Sequence, residues 1–118
     1  MHTSYDKIKT YETKDGSLIK ELMHPSIHHN KNQSLAEAIV QPGQTTALHK
    51  HHQTEELYYI TRGKGRMTLG QQQFEVKPGD TICIPPATPH CITNITEQDL
   101  HLLCCCSPAY SHDDTELL

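Results

Sequence analysis

The chain has 118 residues, enough for one domain with a single core and too few for two. Only 35% of residues are apolar, with one Phe and no Trp, so the core is lean, and a partner subunit or a bound metal is expected to add stability that only the folded state can use. Ten basic against fourteen acidic residues give a net charge of -4 without long runs, which argues against nucleic acid as a partner, and no run approaches about eighteen apolar residues or forms an export signal, so a cytoplasmic protein with no membrane role is expected.

Residues 1–16 are polar and read as a loosely held arm or an added edge strand. Ser17 to Met23 alternates well enough to be a strand, and the polar stretch that follows, with His24, His28 and His29, reads as a solvated loop. Ser34 to Val40 carries a conflict. Ser-Leu-Ala-Glu matches a helical capping box, yet seven residues running into Pro42-Gly43 make a marginal helix and an ordinary strand. A strand is the prediction.

Thr45 to His51 and Glu56 to Thr61 are the next strands, followed by a tight turn at Arg62-Gly63-Lys64-Gly65. Arg66 to Leu69 and Gln73 to Val76 flank Gly70-Gln71-Gln72 as a hairpin. Pro78-Gly79-Asp80 is a type II turn with Gly79 supplying the positive φ. Thr81 to Ile84 is a compact strand, and Pro85 to Pro89, with three prolines that cannot donate ladder hydrogen bonds, is a stiff loop delivering His90 to a strand that ends near Asn94. After a turn at Thr96 to Asp99, Leu100 to Cys106 forms another strand, ended by Ser107-Pro108. Tyr110 to Leu118 is an acidic tail, read as a weakly ordered end or a clasp on a partner. Short strands at this spacing without a long amphipathic helix indicate an all-β barrel or sandwich.

Of five cysteines, Cys104, Cys105 and Cys106 are adjacent. Neighbours on a strand face opposite ways, so this run forms neither a disulfide framework nor a metal knuckle, and the expected role is that of small apolar residues in a reducing cytosol. Cys83 and Cys91 flank the loop that carries His90.

The stretch from His49 to Glu56 concentrates three histidines and two glutamates. Side chains alternate along a strand, so His49 and His51 share a face, and a strand returning from Glu56 sets that carboxylate beside them, with Tyr58 and Ile60 on its face and Leu57, Tyr59 and Thr61 on the other. Two imidazoles on one face can share a metal, and His90 is a candidate for the further ligand such a site needs. Tyr58 is the candidate substrate-binding residue, since strand parity turns its hydroxyl toward the same site. Ile60, Met67 and Phe74 belong to the core or to an apolar pocket wall, and His52 with Glu55 reads as a solvated pair at the rim.

These residues resemble the two motifs of the cupins, a family of small double-stranded β-helix (jelly-roll) barrels. The first motif is matched by Gly43, His49, His51, Glu56 and Gly63, and the second by Gly79, Pro85, Ala87, His90 and Asn94, with Ala87 standing where the family has Gly. Glu55 also satisfies the family's shorter gap after His51, but only Glu56 keeps the six-residue gap to Gly63. The resemblance implies a single-domain barrel core over residues 34–106, preceded by an arm, edge strand and loop over 1–33 and followed by a tail over 107–118. It also implies one divalent metal ion (Zn, Fe, Mn, Ni or Co) bound by His49, His51, Glu56 and His90.

Three imidazoles and one carboxylate around a divalent ion leave open positions for a small-molecule ligand with two adjacent oxygens. The expected function is a metal-dependent enzyme of dioxygenase type acting on a small oxygen-rich molecule. A sugar-phosphate isomerase or lyase using the metal as a Lewis acid, and a non-catalytic binding module, are the alternatives. A homodimer is expected.

Overall fold

The computed structural model describes residues 1–118. Its strands are β1 (Tyr11–Glu12), β2 (Leu18–Met23), β3 (Ser34–Val40), β4 (His49–His51), β5 (Glu55–Arg62), β6 (Gly65–Leu69), β7 (Gln72–Val76), β8 (Thr81–Ile84), β9 (His90–Asn94), β10 (Leu100–Ser107) and β11 (Thr115–Leu117). They form two antiparallel sheets, one in the order β1-β2-β3-β10-β5-β8 and the other β11-β4-β9-β6-β7. This is the expected all-β double-stranded β-helix.

The alternation read in the sequence decides which side chains enter the barrel. Along β5, Glu56, Tyr58 and Ile60 are buried while Leu57, Tyr59 and Thr61 are exposed, and along β10 Leu100, Leu102, Cys104 and Cys106 are buried while the residues between them are not. β3 is a strand despite its capping box, because it is hydrogen-bonded on one side to β2 and on the other to β10, and tertiary pairing outweighs a weak local preference.

The interior is filled at one end and hollow at the other. Ile60, Met67, Leu100 and Leu102 are at most 1% exposed, and burying each contributes roughly 1.5–3 kcal/mol. Further along β10, and on its neighbour β3, the inward residues shrink to Cys104 and Cys106 and to Ser34 and Ala36, all of which line a cavity of about 50 Å³. Small side chains at facing positions leave the space. Ile60 and Met67 are core residues and Phe74 packs on that core; none of the three lines the cavity.

Several turns follow their sequence signals. Gly79 has φ 92 and Asp80 N donates to Lys77 O at 3.0 Å, as a type II turn requires. The hairpin closes one residue earlier than expected, through Gly70-Gln71, with Leu69 opposite Gln72. At Gly63, φ is 82 and an added Cβ would meet Asp99 O at 2.8 Å, so that glycine is required twice over.

Other expectations are corrected. The strand expected from Thr45 is regular only over His49–His51, with Thr45 making an isolated bridge to Thr93. The expected loop after Met23 contains one helical turn, Pro25–His28, with Pro at its start and the His24 ring accepting from Ser26 N, a cap that offsets the shortness of the turn. The polar arm, by contrast, adds β1 to the edge of β2, in line with the edge-strand reading of residues 1–16. The C-terminal tail is not loose. It returns as β11 along β4, and the Asp114 carboxylate accepts from Gln53 N and Thr54 N at 2.9 and 3.1 Å. Burial opposes the Asp114 charge, but those two backbone donors outweigh it and hold its carboxyl below the usual range.

Candidate metal centre

His49 and His90 are directly opposed on β4 and β9, and His51 follows two residues on along the same face. Glu56 enters from β5 in the other sheet, so the group spans the barrel. All four side chains are buried, His90 completely. The ligating nitrogens of the three histidines lie within 4.8 Å of one another, and Glu56 Oε1 is 3.2 Å from His51 Nε2 and 3.4 Å from His90 Nε2.

Hydrogen bonds on the far side of each ring fix the tautomers. His49 Nδ1 donates to the Ala47 carbonyl at 2.8 Å and His90 Nδ1 to the Thr88 carbonyl at 2.9 Å, and a carbonyl can only accept. His51 Nδ1 faces Thr115 Oγ1 at 2.9 Å. The Thr115 hydroxyl donates its hydrogen to Ser111 O at 2.8 Å, so it accepts from His51. Each neutral ring therefore turns an Nε2 lone pair inward.

Inward-facing lone pairs need something positive between them. Buried His90 Nε2 makes no hydrogen bond, and Glu56 sets a carboxylate oxygen against it and against His51 Nε2, a second acceptor. Without a cation, only a proton on a facing imidazole relieves this. Burial works against the Glu56 charge, but the imidazoles of His51 and His90 beside it outweigh that cost, and its carboxyl is brought down to about 2. Burial, and then the charge of His90, hold His49 below the ordinary imidazole range, favouring its neutral ligating form. A divalent cation matches this donor set, three imidazoles with an adjacent carboxylate.

Tyr58 lines the cavity, with its ring centroid 6.0 Å from that of His90, and burial pushes its phenol well above the usual range. Glu55 is exposed and stands apart from the cluster. The expected His52–Glu55 pair does not form; His52 meets Glu116 at 3.1 Å instead, because the returning tail lies beside it. His24 and His28 are taken up in local capping contacts.

Four neighbours of the cluster carried no distinguishing mark in the sequence. Cys106 Sγ donates to Glu56 Oε2 at 3.3 Å and so turns Oε1 toward the histidines. Asp15 Oδ2 stands 4.0 Å from His49 Nε2, while its Oδ1 accepts from Ser17 N and Ser17 Oγ. Tyr110 packs edge-on to His51 with ring centroids 5.8 Å apart. Thr115 is the fourth. All five cysteines are free thiols, and Cys104 and Cys106 fill inward positions as small residues, with burial raising both thiols.

Comparison with known proteins agrees with this architecture. A family model described as "Cupin domain" matches residues 36–106. Over 116 residues the chain is 61% identical to the uncharacterized protein MJ1618 of Methanocaldococcus jannaschii, covering 98% of this chain and 93% of that one. Among solved structures it resembles a predicted oxalate decarboxylase from Thermotoga maritima, with TM-score 0.80, 24% identity and coverage of 92% of this chain and 99% of that one. It also resembles KdgF from Halomonas sp., with TM-score 0.81, 19% identity and coverage of 97% and 98%. The two motifs, the two-sheet barrel and the matched family model together place this chain in the cupin family.

Proposed function

We propose that this cupin is a metal-dependent enzyme of dioxygenase type, holding one divalent cation through His49, His51, Glu56 and His90 and acting on a small oxygen-rich organic molecule. One observation carries the reading: each of the three Nδ1 atoms is committed to an acceptor, so three Nε2 lone pairs and Glu56 converge on one point. A cation bound there supplies Lewis acidity and, as Fe(II), reactivity toward dioxygen. The chain's own contribution is to bind and confine the substrate. Small floor residues admit it, Tyr58 presents a phenol held in its neutral, proton-bearing form, and burial keeps bulk water from the reacting end.

Asp15 favours a second reading, in which the cation serves only as Lewis acid in an isomerase or lyase. A carboxylate 4.0 Å from the cluster is placed to take a proton from a substrate carbon or hydroxyl. No lysine or arginine lines the cavity, which speaks against a phosphorylated substrate. The protein purified without chelators should carry near-stoichiometric metal. Oxygen uptake restored by iron supports the first reading, turnover without oxygen the second, and binding without turnover under any metal would leave a non-catalytic module.

We further propose a homodimer formed over the outer face of the six-stranded sheet, where Leu57 and Tyr59 are 40% and 45% exposed and would gain cover from a second copy.

A further inference from the structure

We infer that the end of the cavity remote from the histidines is a specificity subsite in which Glu21, backed by Tyr11, recognises a neutral hydroxyl group of the substrate. The inference rests on the proposed metal-centred reading and names the substrate class that reading leaves open.

The strand register supplies the placement. Glu21 pairs with Ala36, Ala36 with Cys104 and Cys104 with Tyr58, so Glu21 and Tyr58 end one row across four strands, about three strand spacings of ~4.8 Å apart. The two residues between them are small, and all four line the same cavity. A substrate held at the cluster therefore points its other end along this row toward Glu21.

Glu21 occupies a position that alternation assigns to the core, two residues after buried Ile19, and it is only 9% exposed. Its Oε2 accepts from the Tyr11 hydroxyl at 3.2 Å, while its Oε1 is buried with no hydrogen-bond partner. An unpaired buried carboxyl oxygen costs roughly 1–3 kcal/mol unless a ligand satisfies it. Burial holds the Glu21 carboxyl above the usual range, so it presents a neutral acid, able to donate and accept, more readily than an ordinary glutamate does.

The partner chemistry follows from what surrounds it. The cavity contains Asp15, Glu21 and Glu56 and no basic side chain other than the cluster histidines, together with several hydroxyl groups. A carboxylate or phosphate at this end would set lone pairs against acceptors in a weakly screened space. A hydroxyl both donates and accepts, and completes Oε1 in either protonation state.

The test uses the whole chain loaded with Co(II), whose visible spectrum reports the metal centre, and four probes that share an α-hydroxycarboxylate head: glycerate with a hydroxyl end, malate with a carboxylate end, 3-phosphoglycerate with a phosphate end and isoserine with an amine end. Calorimetry should show glycerate binding about tenfold or more tighter than malate, 3-phosphoglycerate and isoserine. Glu21→Leu should lose about tenfold for glycerate with its Co(II) spectrum unchanged, and Glu21→Gln, which keeps a donor and an acceptor and the shape, should retain binding within about threefold. Equal binding of all four, preference for malate or 3-phosphoglycerate, or unchanged glycerate affinity in Glu21→Leu overturns the subsite while the metal reading stands. Tighter binding of isoserine, or a tenfold loss in Glu21→Gln, shows an ionised Glu21 that selects cations and overturns it likewise. Failure to take up Co(II), or no spectral response to any probe, removes the metal-centred reading and this inference with it.

Discussion

Thr115 and His51 are separated by 64 positions in the chain and by 2.9 Å in the barrel. Because Thr115 has given its hydrogen to Ser111 O, it acts on His51 only as an acceptor, and it selects the tautomer whose Nε2 lone pair faces the cluster. Thr115→Val keeps the shape and removes the acceptor; metal affinity measured by chelator competition should fall roughly 10- to 100-fold. Thr115→Ser should restore most of it. Equal affinity in Val and Ser variants would mean that His51 needs no such partner.

Metal should also stabilise the fold. At a free concentration about 100 times Kd a ligand adds about 2.7 kcal/mol, which for a chain of this size raises the thermal midpoint by roughly 10 °C. Glu56→Gln and His49→Ala should lose that increment on titration with Zn(II) or Co(II). A wild-type midpoint insensitive to both ions and to chelator would contradict the site.

Acid should unfold the chelator-treated protein early. Glu56 titrates at about 2 in the fold, below its ordinary range, so the unfolded chain binds more protons and stability falls as pH drops through roughly 4.5 toward 2. His49, also lowered, acts in the same direction beginning near its ordinary pKa of about 6.5. Glu21 is raised and acts oppositely, costing stability as pH rises above about 4.5. Thermal midpoints against pH should therefore fall toward acid, and Glu21→Gln should gain over the parent at pH 7 but not at pH 4. The same difference at both pH values would assign its effect to packing.

Ala87 has φ 65, a left-handed conformation that costs a residue with a Cβ about 1–2 kcal/mol. The strain persists because Ala87 N is tied to His51 O. Ala87→Gly relieves it at some cost in unfolded-chain entropy, and a net gain of about 0.5–1 kcal/mol is expected from denaturant unfolding. A loss would show that the rigid loop stabilises more than its strain costs.

Ala36→Leu should fill the cavity midway between Tyr58 and Glu21. Metal content should be unchanged, while binding of any α-hydroxycarboxylate should drop by about tenfold or more as the space it uses is occupied. Unchanged binding would place the ligand elsewhere.

Leu57→Lys with Tyr59→Lys, both outward-facing on β5, should convert a dimer to a monomer in light scattering. A parent that is already monomeric removes that proposal.

The barrel and the four central side chains were legible because their signals are local. Strict alternation in β5 and β10 fixes which residues face inward, and Pro or Gly marks most of the reversals, though not those after β4 and β9. Ala87 stands where the family has Gly, and the structure gives it φ 65, a conformation that suits a glycine. Asp15, Cys106, Tyr110 and Thr115 were not legible as site residues. Each is a single polar side chain whose role depends on a pairing tens of residues away, and three residues such as β11 are too few to show a period. Reading the tail as loose followed from its charge, but Asp114 is held by the amides of residues 53 and 54, not by apolar burial. The turn at Pro25–His28 was missed because His24, an unusual cap, replaces the Ser or Asp that marks most helix starts.

The closing role of the final strand bears on how the molecule is handled. Leu118 N is bonded to Leu48 O at 2.9 Å, one position from His49, so an affinity tag fused after Leu118 would pull on the lattice that orients the imidazoles, whereas Met1, 72% exposed, offers a harmless attachment point. A fragment trimmed to residues 36–106 would keep His49, His51, Glu56 and His90 yet discard Asp15, Glu21, Tyr110 and Thr115, and so would be a shell with its ligands present and its walls gone.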